Sequence, residues 1–104
     1  MLSKTEVVAA VTAAMAAPVA APSRAYGCGR AYVCVSEDRA TVNAVAAACR
    51  TLGVLFVRKN YGAGSNAIYC GYDNADGRAT AKANAVEASL KAAGLRCYVD
   101  HGED

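Results

Sequence analysis

The order of elements legible in this sequence predicts an α+β fold. The expected domain is a ferredoxin-like split βαβ (βαββαβ), a four-stranded antiparallel sheet with two helices on one face, preceded by an N-terminal helix. Three observations predict it. Two stretches, RAYVCVSEDRAT (residues 30–41) and NAIYCGYDNADGRAT (residues 66–80), each spell a short Tyr/Val/Cys-rich strand, an acidic turn and Arg-Ala-Thr opening a helix. Each of those helical stretches ends on a glycine. Each glycine is followed by one more apolar run of strand length, so the chain reads as two βαβ halves in tandem.

The first 25 residues form a separate unit, an Ala-rich helix with a Pro-containing linker, and residues 26–104 form the domain. VVAAVTAAMAAPVAA (residues 7–21) fits the apolar region of a secretory signal, with Ser-Arg-Ala at 23–25 as a cleavage site. The favoured reading is a structural helix. SKTE (residues 3–6) spells a capping box, an acid stands in the would-be basic region, and Val8, Val11 and Met15 recur at helical spacing. Pro18 ends this helix and Pro22 stiffens the link to the domain. Sparse arginine before Arg24 and the acid Glu6 argue against a mitochondrial presequence.

In the domain, residues 30–36 are the first strand. Residues 37–53 are a helix, with acids at its start, Val42, Val45, Cys49 and Leu52 along one side, Arg50 in its last turn and Gly53 as its stop. Residues 54–59 are the second strand, residues 60–66 a glycine-rich hairpin connection and residues 67–72 the third strand. Residues 75–94 are the second domain helix, and residues 95–101 the last strand. The first and third strands are then central, adjacent and antiparallel.

Strand alternation assigns faces. Ala31, Val33 and Val35 should face the helices, with Ile68, Cys70 and Tyr72 from the third strand and Leu95, Cys97 and Val99 from the fourth. The second strand is equally apolar in both phases. The other face would display Tyr32, Tyr69 and Tyr98, with Arg96 and Arg58 beside them. These five residues are the candidate partner-binding set. An N-terminal helix folded over that face would hide it.

AYVCVS (residues 31–36) resembles the first ribonucleoprotein motif of RNA-recognition domains, in which an aromatic at the second position stacks a base; Tyr32 fills that position. SNAIYCGY (residues 65–72) is similar to the second motif at Tyr69 and Tyr72. Ser65, Asn66 and Ala67 depart from that motif, where a basic residue, a glycine and an aromatic are expected. The resemblance implies single-stranded nucleic-acid binding by stacking on an open sheet.

Composition limits the alternatives. The chain has 104 residues, 55% of them apolar, many of those Ala, no Trp and a net charge of +2. That predicts one domain with a core of small side chains and no strong polyanion-binding field. No apolar run is long enough to span a bilayer. The five cysteines include no C-x-x-C, so no zinc ribbon or metal-carrier motif is spelled, and no metal or cofactor is expected. Cys49, Cys70 and Cys97 read as buried hydrophobes that resist alkylation, and Cys34, on the open face, as the more reactive thiol. An odd count excludes complete pairing within one chain, although an exported protein would carry a bridge. GCG (27–29) and GAGSNA (62–67) lack the following helix of a dinucleotide fingerprint and read as turns. DNADG (73–77) lacks the further acids of an EF-hand loop and reads as a helix cap. Cys28 near His101, with Asp100 adjacent, is the minimum for a thiolate nucleophile. A single His among the last residues and no legible oxyanion hole argue against catalysis.

The resulting expectation is a small, non-enzymatic, cytoplasmic protein-binding or self-associating module. Regulatory or inhibitory proteins of the kind phages direct at host machinery are one such class. Single-stranded nucleic-acid binding is the alternative, and an exported disulfide-containing protein, secreted or periplasmic, the second.

Overall fold

A computed structural model describes residues 2–21, 28–60, 65–74 and 76–103. The expected Pro22 stiffening, the 23–25 cleavage site, the Gly27 turn and the tip of the 60–66 hairpin lie outside the described residues. Three helices and four strands follow in the order α1 (Lys4–Ala16), β1 (Gly29–Val35), α2 (Arg39–Leu52), β2 (Phe56–Asn60), β3 (Ser65–Asp73), α3 (Arg78–Ala92) and β4 (Cys97–Glu103). The strands form one sheet in the order β2-β3-β1-β4, and every neighbouring pair is antiparallel. The fold is therefore α+β with an antiparallel sheet and an N-terminal helix first.

The helix starts follow local chemistry. Ser3 caps α1 through a full capping box: its hydroxyl accepts from the Glu6 amide at 3.2 Å, and the Glu6 carboxylate accepts from the Ser3 amide at 2.9 Å. Asp38 caps α2 by accepting from the Thr41 amide at 2.9 Å, and Gly53 ends α2 in the left-handed conformation.

One core lies between the sheet and the helices. β1 contributes Ala31, Val33 and Val35, β3 contributes Ile68, α2 contributes Val42, Val45 and Cys49, and α3 contributes Ala83, Val86 and Leu90. These side chains are small, so each removes little apolar area from water. α1 enlarges the core: it packs against both α2 and α3 and buries Val7, Val11 and Ala14. Lys82 of α3 adds a bond from its Nζ to the Met15 carbonyl at 2.6 Å. The expected stripe of Val8, Val11 and Met15 is corrected by one position, since Val8 and Met15 are only half-buried at its margins. α1 also stands with the helices, so it does not cover the opposite sheet face.

A β-bulge corrects the expected alternation in β3. Ala31 pairs with Gly71 and Tyr32 with Tyr69, so the Cα register with β1 skips Cys70. The extra residue reverses the phase beyond it. Gly71 turns to α3, where a Cβ would meet that of Ala79 at 3.3 Å, and its φ of +132° suits glycine. Tyr72, expected inside, is 45% exposed, and Asp73 is fully buried.

Candidate functional site

The sheet face away from the helices is built in rows across the strands. Cα pairing sets Tyr98, Cys34, Ala67 and Val57 in one row, and Asp100, Tyr32 and Tyr69 in the next. Leu55 accepts a backbone bond from Tyr69 at 3.0 Å, which places it beside this second row. The third row holds Gly102, Arg30 and Tyr72. Neighbouring strands stand about 4.8 Å apart, so rings in one row touch. The Tyr32 and Tyr69 rings meet at 5.6 Å between centroids with a 59° tilt, close to the edge-to-face arrangement aromatic pairs favour.

Beneath the rings lies a small second apolar cluster of Cys34 and Ala67, both fully buried, with Tyr32 packed against them. This corrects the expectation of a reactive Cys34. Burial pushes its thiol above the ordinary value; the Tyr98 hydroxyl is its hydrogen-bond partner and partly offsets that rise. The tyrosines therefore cover this face themselves while remaining accessible: Tyr98 is 42% exposed, and Leu55 beside them is 59% exposed. The other expected buried thiols conform more closely. Burial raises Cys49 to about 11 and Cys70 to about 12, and also raises Cys97. Cys70 is nonetheless half-buried.

Of the five candidate residues, the structure brings Tyr32, Tyr69 and Tyr98 onto this face. Arg96 stands at its end, with its amide at 2.8 Å and its Nε at 3.4 Å from the Glu37 carboxylate. Those bonds hold Glu37 below its ordinary value, with the Arg96 amide as the largest cause. Arg58 is a correction. Phe56 pairs with Ile68 and faces the core, so Arg58, two residues on, points to the helix side, where its Nη1 donates to Asn43 of α2 at 3.0 Å. Two further residues join the face: Arg30 of β1, and Tyr72, expected inside, which arrives through the bulge.

The Cys28–His101 pair takes other partners. The Cys28 thiol donates to Asn74 Oδ1 at 3.5 Å, and His101 Nε2 lies 3.0 Å from Asp73 Oδ2. Asp100 is on the opposite face, across from Tyr32. Asp73 caps α3 from outside it, accepting from the Ala79 amide at 2.6 Å, the Thr80 amide at 3.2 Å and the Thr80 hydroxyl at 2.6 Å. Burial opposes ionisation of Asp73 but is outweighed by the bonds from Thr80, Ala79 and His101, which hold its carboxyl below the ordinary value. Capping is thus the role of the DNADG stretch: Asp73 takes the Ala79 and Thr80 amides, and Asp76 accepts from the Arg78 amide at 3.4 Å.

Among the described residues no helix is long and apolar enough to cross a membrane, and no cluster of three His, Cys, Asp or Glu side chains could hold a metal. No protein-family model matches the chain, and neither a curated protein nor a solved structure is significantly similar to it.

Proposed function

We propose that this chain is a non-enzymatic protein-binding module of ferredoxin-like architecture that associates through the Tyr-bearing face of its sheet, with a second copy of itself as partner. The strand order β2-β3-β1-β4 and the two βαβ halves support the architecture. The observation that carries the function is the aromatic face itself. Tyr32, Tyr69, Tyr72 and Tyr98 stand with Leu55 on the side of the sheet that all three helices leave uncovered. Rings of this kind bury wide apolar area at low entropy cost and still place a hydroxyl.

Charge favours a self-complementary contact. Arg30 lies in the row next to Asp100, so a two-fold copy can set each Arg30 against the other's Asp100. The same charges disfavour nucleic acid, which needs several unopposed cations on one face. Arg58 turns to α2, Arg96 is tied to Glu37, and Asp100 opposes Arg30. Burial of Val7, Val11 and Ala14 supports retention of α1 in the working protein rather than loss as a signal, which fits a cytoplasmic location.

Sedimentation across a concentration range tests the proposal. The wild type should show a monomer–dimer equilibrium, and Tyr72→Glu, at an exposed position, should be a folded monomer. A monomeric wild type overturns self-association. Salt-sensitive binding of single-stranded oligonucleotides that vanishes in Tyr32→Ala/Tyr69→Ala would transfer the face to nucleic acid. A natively expressed protein whose mass places its N-terminus near Tyr26 would move it to an exported compartment.

A further inference from the structure

The β2 edge of the sheet carries a second feature, which shares only Leu55 with the Tyr face. Strand β2 is one of the two edge strands, and α2 runs beside it. Between them opens a cleft of about 370 Å³, lined by Ala46 and Arg50 of α2, Val54 and Leu55 of the connection, and Phe56 and Arg58 of β2. That volume lies within the range of small-molecule sites, about 300–1,000 Å³. Its side chains are apolar except for two arginines, one from each wall.

Arg58 is held in place. Its Nη1 donates to Asn43 Oδ1 at 3.0 Å, and its guanidinium carbon lies 5.9 Å from the centroid of the Phe56 ring. The bond to Asn43 uses one of the five N–H donors a guanidinium offers. Asn43, Ala46 and Arg50 follow at i, i+3 and i+7, so Arg50 shares the helix face that anchors Arg58. Among the described residues no acid lines the cleft. The sequence from 39 to 72 contains Arg39, Arg50, Arg58 and Lys59 and no Asp or Glu, in a chain whose total charge is only +2. The two cleft arginines therefore belong to a stretch whose charge is more positive than that of the whole chain. Basic residues on an edge strand also discourage unwanted strand pairing. That role needs neither the Asn43 bond nor a second arginine on the facing helix.

We infer that the α2–β2 cleft binds a small organic oxyanion, a carboxylate or phosphate carried on an apolar body, with Arg50 and Arg58 holding the anion and Ala46, Val54 and Phe56 receiving the body. Arginine suits this task because its planar fork matches both oxyanions and tolerates an apolar surround.

The test is titration of the full chain with phenyl phosphate and with benzoate, followed by amide and arginine Nε resonances. Phenol and inorganic phosphate serve as the single-feature controls. Shifts should be confined to Ala46, Arg50 and the 54–58 segment, and the stronger of the two aromatic anions identifies the preferred oxyanion. Arg50→Gln and Arg58→Gln should each weaken binding about tenfold, as expected for loss of a charge-assisted bond. Asn43→Ala should weaken it by a smaller factor. Both arginines are exposed, so the variants should retain a dispersed spectrum that certifies folding. Unchanged affinity in the Arg50→Gln/Arg58→Gln double variant overturns the site. So does a failure of both aromatic anions to bind more tightly than phenol and inorganic phosphate, or shifts centred on Tyr32 and Tyr69.

Discussion

Replacing Asp73 by Ala should destabilise the fold by about 3–4 kcal/mol. Its buried carboxylate accepts four hydrogen bonds, from the Ala79 amide, the Thr80 amide, the Thr80 hydroxyl and His101. The two amides belong to the first turn of α3, whose N-cap, Gly77, makes no side-chain bond to them. Loss of the capping acceptor costs about 1–2 kcal/mol. The buried Thr80 hydroxyl also loses its partner, at about 1–3 kcal/mol, whereas the His101 side chain is 15% exposed and can rehydrate in part. For a domain whose whole stability is typically about 5–15 kcal/mol, the loss is severe. Asp73→Asn keeps the volume but presents an N–H₂ group to donors, and should lose about half as much. Urea unfolding followed by circular dichroism measures both, with the m-value fixing the conversion of midpoints. An Asp73→Ala variant within about 0.5 kcal/mol of wild type would refute the reasoning. The pH dependence follows from the same bonds. The folded carboxyl ionises below the ordinary Asp value of 3.8, so its stabilisation is fully present above that value and is lost as pH falls through the lower folded value. Asp73→Asn should flatten this acid limb; an acid limb unchanged in Asp73→Asn would assign it to other carboxylates.

Thiol labelling of the native protein should modify Cys28 and leave Cys34 protected, although Cys34 lies on the face the helices leave open; Tyr98→Ala should expose Cys34, and labelling resolved by peptide mass reads the order. Val11→Ala, which removes two methyl groups from a fully buried site on α1, should cost about 2 kcal/mol in the same urea assay, and a neutral result would mean that α1 does not seal the core. Gly71→Ala should cost about 1–3 kcal/mol, because φ is +132° and the new Cβ meets Ala79 at 3.3 Å. Adding Ala79→Gly should relieve the clash but not the backbone strain, so only partial recovery in the double variant supports the bulge geometry.

The element order and the ends of α1 and α2 were set by local chemistry, and local chemistry is written in sequence. Ser3 with Glu6, Asp38 before Thr41, and Gly53 after Leu52 each act within a few residues of themselves. The faces of β1 and β4 were legible for the same reason: uninterrupted alternation puts Val33 and Cys97 inside and Tyr32 and Tyr98 outside. The run from 39 to 72 without an acid was also plain in the sequence, but whole-chain charge concealed it. Tertiary structure decided the rest. The bulge opposite Ala31 and Tyr32 depends on how two distant strands register, so no count along β3 alone could turn Tyr72 outward and Asp73 inward. The phase of β2 was ambiguous because Leu55, Phe56 and Val57 are all apolar; only pairing with Ile68 sends Phe56 to the core and Arg58 to Asn43. The burial of Cys34 depends on Ala67 of β3 and on Tyr98 of β4 as well as on its neighbour Tyr32, and the docking of α1 on the helices rather than on the tyrosines comes from the apolar surface that α2 and α3 leave open. Each of these outcomes depends on contacts between residues far apart in the chain, whereas capping and alternation depend on neighbours.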